Sequence, residues 1–421
     1  MRAFTLLQLA TSALAWEVFQ NEPDTGFEEY LQKKGWTAGT RPDLADIQGI
    51  PDFDFAARQT LSHDQYSFYR VGAGSEWAYR NNLAVWEKAR LRPHQLAGIT
   101  GLNETMGVTI LGYNFSSPIF ISPAARAGYG DPAGELNFVD AAAENNILYM
   151  VSFTAPAAYY ANKTIEEIGE QKRKHNNTLN GPQVTFQQFY ATDDHDAVWD
   201  IFQRAEANNA KALVWTIDAP ATSSRQRAAR YSSSVSRLQA AVLDWDLYEE
   251  MKNHTSLPII LKGITTVEDA KKAVEKGVPA IMLSNHGGRQ VDYSPSPLEI
   301  AFEIHHNAPE IFNQIEVLAD SGIRYGDDVV KLLALGVKAV GMGRPFLHSN
   351  IYGFDGVNKA ISLINTEIYN DAAQVGVTDF HNIPISIVSK SQYEDMKTPL
   401  TVPKLNTRAL ERDVYIVPTS N

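Results

Sequence analysis

His286 and Arg289 stand three residues apart in the run Ser284-Asn285-His286-Gly287-Gly288-Arg289-Gln290, directly behind the apolar stretch Ala280-Ile281-Met282-Leu283. An imidazole can take a proton near neutral pH, and a guanidinium can hold a small carboxylate in a two-pronged contact. The two glycines between them let the backbone turn sharply without Cβ clashes. A buried strand that delivers a base and an anion clamp at its C-terminal end is how an α/β barrel carries chemistry. A histidine in a glycine-rich loop also has a purely structural reading, so the other strand ends must decide.

Eight short β-branched runs alternate with helical stretches: 119–121, 147–151, 184–189, 212–217, 258–261, 280–283, 316–318 and 339–340. Eight such units predict an α/β fold closed into a (β/α)8 TIM barrel. Polar residues then fall at nearly every strand end, where barrel loops converge: Ser122-Pro123-Ala124-Ala125, Ser152, Gln188 with Tyr190, Thr216 with Asp218, Lys262, His286 with Arg289, Asp320 with Arg324, and Arg344. The last two strands lead into Asp320-Ser321-Gly322-Ile323-Arg324 and Gly341-Met342-Gly343-Arg344. Loops after strands seven and eight form the usual phosphate site of this architecture. Lys262 can stabilise negative charge developing on a cofactor ring or form a buried salt bridge; Asp218 can orient His286 or cap the following turn.

The intervening helices carry their own punctuation. Thr265 can cap a helix that buries Val267, Ala270 and Val274 and stops at Gly277, and Thr192 with Asp193-Asp194 suits the start of a helix burying Val198, Ile201 and Phe202. Residues 16–110 include a helix through Tyr69 and the Gly72-Ala73-Gly74 turn, and are expected to form a helical and hairpin cap over a barrel end. The connection 228–253 is a lid or a solvated excursion.

Composition narrows the function classes. The 421 residues, 44% hydrophobic, can bury a large core, and the net charge of −12 opposes a nucleic-acid surface. With no cysteine, disulfides, thiolate nucleophiles and cysteine-held metals are excluded. No stretch beyond the N-terminus is apolar enough to span a membrane. His175, His305 and His306 have charged or helical neighbours and read as surface, so no metal site is expected. The start, Met1-Arg2 followed by an apolar stretch and Ala13-Leu14-Ala15, reads as a secretory signal cut before Trp16. Asn-x-Ser/Thr sequons at Asn103, Asn114, Asn162, Asn176 and Asn253 suit a secreted glycoprotein.

From about Tyr66 to Gly376 the chain resembles the FMN-dependent 2-hydroxy acid oxidase and dehydrogenase family, which includes glycolate oxidase and lactate oxidase. The segment Ser284–Gln290 looks like that family's active-site signature. Leu261-Lys262-Gly263, Gln188-Phe189-Tyr190, Thr216-Ile217-Asp218 and both phosphate loops occur in the family's order. The resemblance implies oxidation of an L-2-hydroxy acid to a 2-oxo acid, with FMN reoxidised by oxygen or another acceptor, in a homotetramer. His286 would be the base, Asp218 the partner of the imidazolium, and Lys262 the cation beside the reduced flavin. Arg225, Arg289, Tyr69 and Tyr190 would bind the substrate. Pro123, Ala124, Ala125, Ser152, Gln188 and Thr216 would line the flavin ring. Asp320, Ser321, Gly322, Ile323 and Arg324, with Gly343 and Arg344, would hold the ribityl chain and phosphate.

The domain layout that follows is a signal peptide over 1–15, an extension over 16–65, the barrel over 66–390 and a tail over 391–421. Several positions depart from the family's pattern. Ser223-Ser224-Arg225-Gln226-Arg227 replaces a Gly-Arg-Arg-Glu type segment, Val151-Ser152-Phe153 lacks the usual serine pair, and Arg126 stands where a neutral residue is usual. The connection from Arg230 to Lys262 is short, which suggests a reduced lid. These changes leave open a larger secondary-metabolite hydroxy acid or alcohol as substrate. A catalytically idle FMN-binding protein is the other alternative.

Overall fold

The structure, a computed structural model, describes residues 25–153, 161–177, 179–231 and 242–389. The expected signal peptide, the tail over 391–421 and the serine run 232–234 lie outside the described residues.

Each of the eight runs is a barrel strand: β1 (Ile119–Ile121), β2 (Leu148–Val151), β3 (Thr185–Phe189), β4 (Ala212–Thr216), β5 (Ile259–Ile264), β6 (Ala280–Leu283), β7 (Glu316–Asp320) and β8 (Ala339–Met342). Each pairs in parallel with the next, and β8 returns to β1, closing a (β/α)8 TIM barrel.

The two-residue period of the strands sorts their side chains into two cores. Phe120, Leu148, Met150, Phe186, Val214, Ile260, Met282 and Leu318 cluster with Ile110 and Phe115 of a short antiparallel hairpin, Val108–Ile110 with Tyr113–Phe115. That cluster is the barrel interior, and the hairpin plugs its N-terminal mouth, where Leu111 N donates to Glu316 at the start of β7. The alternate residues, among them Ile121, Tyr149, Trp215, Leu261 and Ile281, join the larger core beneath the helices.

One step further along the inward series, apolar side chains give way to Ser122, Ser152, Gln188, Thr216, Lys262, Ser284 and Asp320, all buried, with Gly341 at the eighth position. The C-terminal mouth is therefore a buried polar ring above an apolar plug.

Two local expectations are corrected. Lys262 lies within β5, not beyond its end, because the strand continues through Ile264 with a register irregularity opposite Met282 and Leu283. Gly263 permits this: its φ is +112°, and an added Cβ would stand 2.6 Å from Asp218 Cβ. The next helix (Val267–Glu275) is capped by Thr266, whose hydroxyl accepts from Asp269 N, and not by Thr265.

The N-terminal segment caps the opposite mouth from the hairpin plug. Ser62 and Gln65 form a capping box at the start of helix His63–Arg70, which places Tyr66 and Tyr69 one turn apart and buried. Beyond it, Ala73 N donates to Gly288 O at 2.8 Å, tying the cap to the His286 loop. The division drawn at residue 66 falls inside this helix. Ile50 and Phe53, ahead of it, already belong to the main core.

Candidate active site

The loop after β6 turns through three consecutive left-handed residues, His286 (φ 59°), Gly287 (φ 66°) and Gly288 (φ 71°). Gly288 has no room for a side chain, since an added Cβ would lie 2.5 Å from Tyr79 N, and at Gly287 a Cβ would displace the Arg344 guanidinium, 2.6 Å away at Nη1. His286 itself adopts a conformation costly to a non-glycine residue, about 1 to 3 kcal/mol, so the surrounding contacts must hold it. Ser284 is one of them, its Oγ accepting from His286 N at 3.0 Å.

His286 Nδ1 lies 2.9 Å from Asp218 Oδ1, and Tyr190 OH stands 3.5 Å from Nε2 on the cavity side. Nδ1–H donating to the carboxylate leaves the Nε2 lone pair facing the cavity. Burial pushes the Asp218 carboxyl up, but the charges and hydrogen bond of His286, with Lys262, bring it below its ordinary value. Burial, aided by Lys262 and Arg225, holds His286 below the ordinary histidine value in spite of Asp218. The result is a neutral imidazole backed by a carboxylate.

Lys262 Nζ donates to Ser284 Oγ at 3.0 Å and lies 3.7 Å from Asp320 Oδ2, while Ser284 Oγ donates to Asp320 Oδ1 at 2.5 Å. Ser321 Oγ donates to the same Asp320 oxygen and accepts from Gly287 N.

Arg225 Nε donates to Ser223 Oγ and to Arg289 O, and its Nη2 donates to Gln290. Arg227 instead pairs with Glu76 at 3.1 Å. Only the first of these two arginines lines the cavity. Arg289 Nη1 donates to Phe68 O at 2.7 Å, and burial together with the charges of Arg225 and Arg344 holds its guanidinium well below the usual range. Tyr69 OH donates to Arg126 O at 2.7 Å, and burial raises its phenol far above the ordinary tyrosine value. Phe153, where the family pattern has a tryptophan or tyrosine, packs edge-on against Tyr190, and its N–H donates to Gln188 Oε1. Gln188 Nε2 donates in turn to Thr216 Oγ1.

One cavity gathers Pro123, Ala124, Ala125, Ser152, Gln188, Thr216 and Lys262 with Asp320 to Arg324, Gly343 and Arg344, and also Tyr69, Tyr190, Arg225, His286 and Arg289. Asp218 sits behind His286 rather than on the wall. Arg344, although on the wall, spends its guanidinium on Tyr69 O, Gly287 O and Val71 O. Ser284 and Gln290 were not singled out by sequence reasoning. The inward parity from Met282 points to Ser284; Gln290 has no comparable signal.

The wall suits a flavin mononucleotide. Ala124 and Ala125 offer a flat apolar face, and the buried Ser122 Oγ has no hydrogen-bond partner among the described residues. At Gly343, on the cavity wall, an added Cβ would meet nothing closer than Ala124 Cβ at 3.7 Å. Gly322 is packed so closely that an added Cβ would lie 2.1 Å from Asn82 O. Among the described residues no cluster of histidine, aspartate and glutamate could hold a metal, and no helix is long and apolar enough to cross a membrane.

The barrel and this cavity define a flavin-dependent oxidoreductase of the 2-hydroxy-acid class. The family model for FMN-dependent dehydrogenases matches residues 57–240 and 231–390, and the chain belongs to that family. It is similar to the peroxisomal (S)-2-hydroxyacid oxidase GLO4 of Arabidopsis thaliana, at 33% identity over 351 residues, 77% of this chain and 91% of the relative. The L-lactate dehydrogenase (cytochrome) of Saccharomyces cerevisiae is 29% identical over 391 residues, 86% of this chain; the chain spans only 64% of that relative's length. Among solved structures, the recombinant flavin-binding domain of baker's yeast flavocytochrome b2 superposes with a TM-score of 0.77 at 30% identity, covering 94% of this chain and 98% of that one. A mandelate oxidase variant with (S)-mandelic acid gives 0.72 at 29%, covering 82% and 98%.

Proposed function

We propose that this chain oxidises an L-2-hydroxy acid to the 2-oxo acid, with His286 as the base. The observation that carries this reading is the His286–Asp218 pair, which directs an unprotonated Nε2 into a cavity flanked by two arginines.

Arg225 and Arg289 bind the substrate carboxylate, and the Tyr190 hydroxyl meets the 2-oxygen. Tyr69 stays protonated on the wall. His286 Nε2 takes a proton from the hydroxy acid, and Asp218 stabilises the imidazolium formed. Bound FMN would supply the acceptor for the two electrons and for the second hydrogen that the substrate loses as its carbonyl forms. Lys262, held by Ser284 and Asp320, supplies positive charge beside it. The phosphate loops over 320–324 and 343–344 anchor its tail. The whole constellation of base, anion clamp and buried ammonium opposes the reading of an idle flavin binder.

Anaerobic absorbance of the FMN-loaded protein tests this. Its flavin band is expected to bleach with glycolate, L-lactate, L-mandelate or L-malate, and peroxide released on admitting air identifies oxygen as acceptor. His286→Ala should bind FMN yet fail to bleach; normal bleaching in that variant removes His286 from the mechanism.

We also propose passage through the secretory pathway, since the asparagines of all five sequons are exposed.

A further inference from the structure

Arg126 follows the Ala124-Ala125 wall at the end of β1 and lines the same cavity as His286, Arg225 and Arg289. Its backbone is left-handed, φ 65°, a conformation uncommon outside glycine, and its carbonyl accepts from Tyr69 OH at 2.7 Å. Its guanidinium lies 4.7 Å from the centre of the Phe68 ring and 5.3 Å from that of Tyr129, whose hydroxyl accepts from Nη1. Arg289 lies 5.0 Å from the centre of the same Phe68 ring. Two guanidinia that share one ring are at most about 10 Å apart. A short diacid can bridge that span with a salt bridge at each end.

The electrostatics point the same way. Among the described residues the cavity wall carries Arg126, Arg225, Arg289, Arg324, Arg344 and Lys262 against the carboxylate of Asp320, with Asp218 behind His286. A phosphate group brings roughly −2, and one substrate carboxylate brings a single further charge. Gathering this many cations out of water costs free energy unless anions enter with them. Arg126 directly follows the flavin-lining alanines and shares the Phe68 ring with Arg289, which lies in the anion clamp.

We propose that Arg126 is a specificity-determining residue that binds a second carboxylate, so that four- and five-carbon 2-hydroxy diacids are the preferred substrates. This rests on the 2-hydroxy-acid reading of the site. The first carboxylate meets Arg225 and Arg289, C2 lies at His286, and the distal carboxylate reaches Arg126 along the Phe68 wall.

The test is anaerobic flavin reduction in the FMN-loaded full chain, comparing L-malate and L-2-hydroxyglutarate with L-2-hydroxybutyrate and L-lactate. Losing a charge-assisted contact corresponds to roughly 10- to 150-fold. The ratio of diacid to monoacid efficiency should exceed unity by about that factor in the native protein, collapse in Arg126→Met, and recover in part in Arg126→Lys. Independently of turnover, the dissociation constant of 2-oxoglutarate, read from the oxidised flavin spectrum, should rise by a similar factor in Arg126→Met. Monoacids that reduce the flavin as well as or better than diacids overturn the role of Arg126 and leave the hydroxy-acid reading standing. Equal loss toward both substrate sets in Arg126→Met, with FMN retained, reduces the residue to a wall support and also overturns it. A flavin that neither set bleaches overturns the hydroxy-acid reading, and this inference with it.

Discussion

Asp218→Asn changes little in shape and removes one charge, so its cost can be worked from the pair it disrupts. Asp218 Oδ1 lies 2.9 Å from His286 Nδ1, with both side chains largely buried. A hydrogen bond to a charged group contributes about 1.5 to 3 kcal/mol. The attraction of unit charges about 4 Å apart at an effective dielectric of 20 reaches about 4 kcal/mol. Both act on the imidazolium that forms as His286 takes the substrate proton, so flavin reduction should slow by roughly 10- to 1,000-fold.

The amide makes matters worse in either orientation. Asp218 Oδ2 is buried with no hydrogen-bond partner among the described residues, so an NH2 group placed there also lacks an acceptor. Facing Nδ1 instead, it forces the ring proton onto Nε2, the atom that must act as base. The assay is anaerobic stopped-flow reduction at saturating substrate, with FMN content checked by absorbance. Asp218 raises the His286 value in the native protein, so the acid limb of the variant should move to lower pH while its plateau falls. A variant that keeps its FMN and is reduced within about threefold of the native rate would refute the assignment of Asp218 as the charge partner.

Two further outcomes follow from the same structure. Because burial holds His286 below its ordinary 6.5, the imidazole is neutral at pH 7; the reduction rate should rise with pH through a midpoint below 6.5 and then level off, and an acid limb centred above 7 would contradict a pre-formed neutral base. Secretory passage predicts that the full chain expressed in a eukaryotic host starts at Trp16 and shortens in apparent mass on removal of N-linked glycans. An intact Met1 with no such shift opposes it.

Much of this was legible because a barrel imposes simple rules on sequence. Strands buried on both faces read as short apolar runs, and all eight were visible as such. Their ends were less visible: at β5 the run appeared to stop at Leu261, because Lys262 and Gly263 look like the end of a strand. In fact Lys262 continues the inward series and Gly263 accommodates Asp218. The candidates named from strand ends lie around one cavity, with Asp218 just behind, whereas Tyr69, on an N-terminal helix, and Arg225 came only from the family resemblance. Partner choice was not legible. Spacing from Thr216 singles out Arg225 over Arg227 for the cavity, but nothing in it shows that Arg344 donates to three carbonyls or that Arg227 turns to Glu76. Those outcomes depend on where the N-terminal cap lands, and long-range docking leaves no local pattern.

The arrangement separates the chemistry from substrate selection. Ser284 uses its full hydrogen-bonding capacity, accepting from His286 N and Lys262 Nζ and donating to Asp320 Oδ1. One hydroxyl thereby fixes the base-bearing loop, the ammonium and the carboxylate relative to one another, and these groups come from β5, β6 and β7, whose register the barrel sets. The departures from the family pattern fall elsewhere: Arg126 follows β1, Phe153 follows β2, and residues 223–227 follow β4. Changes on that side can alter what the cavity admits without disturbing the register that positions His286 and Lys262. A chain that keeps Asp218, Arg225 and the β5–β7 network and rebuilds the β1 and β2 ends is therefore expected to retain the oxidation chemistry while changing the side chain of the acid it accepts.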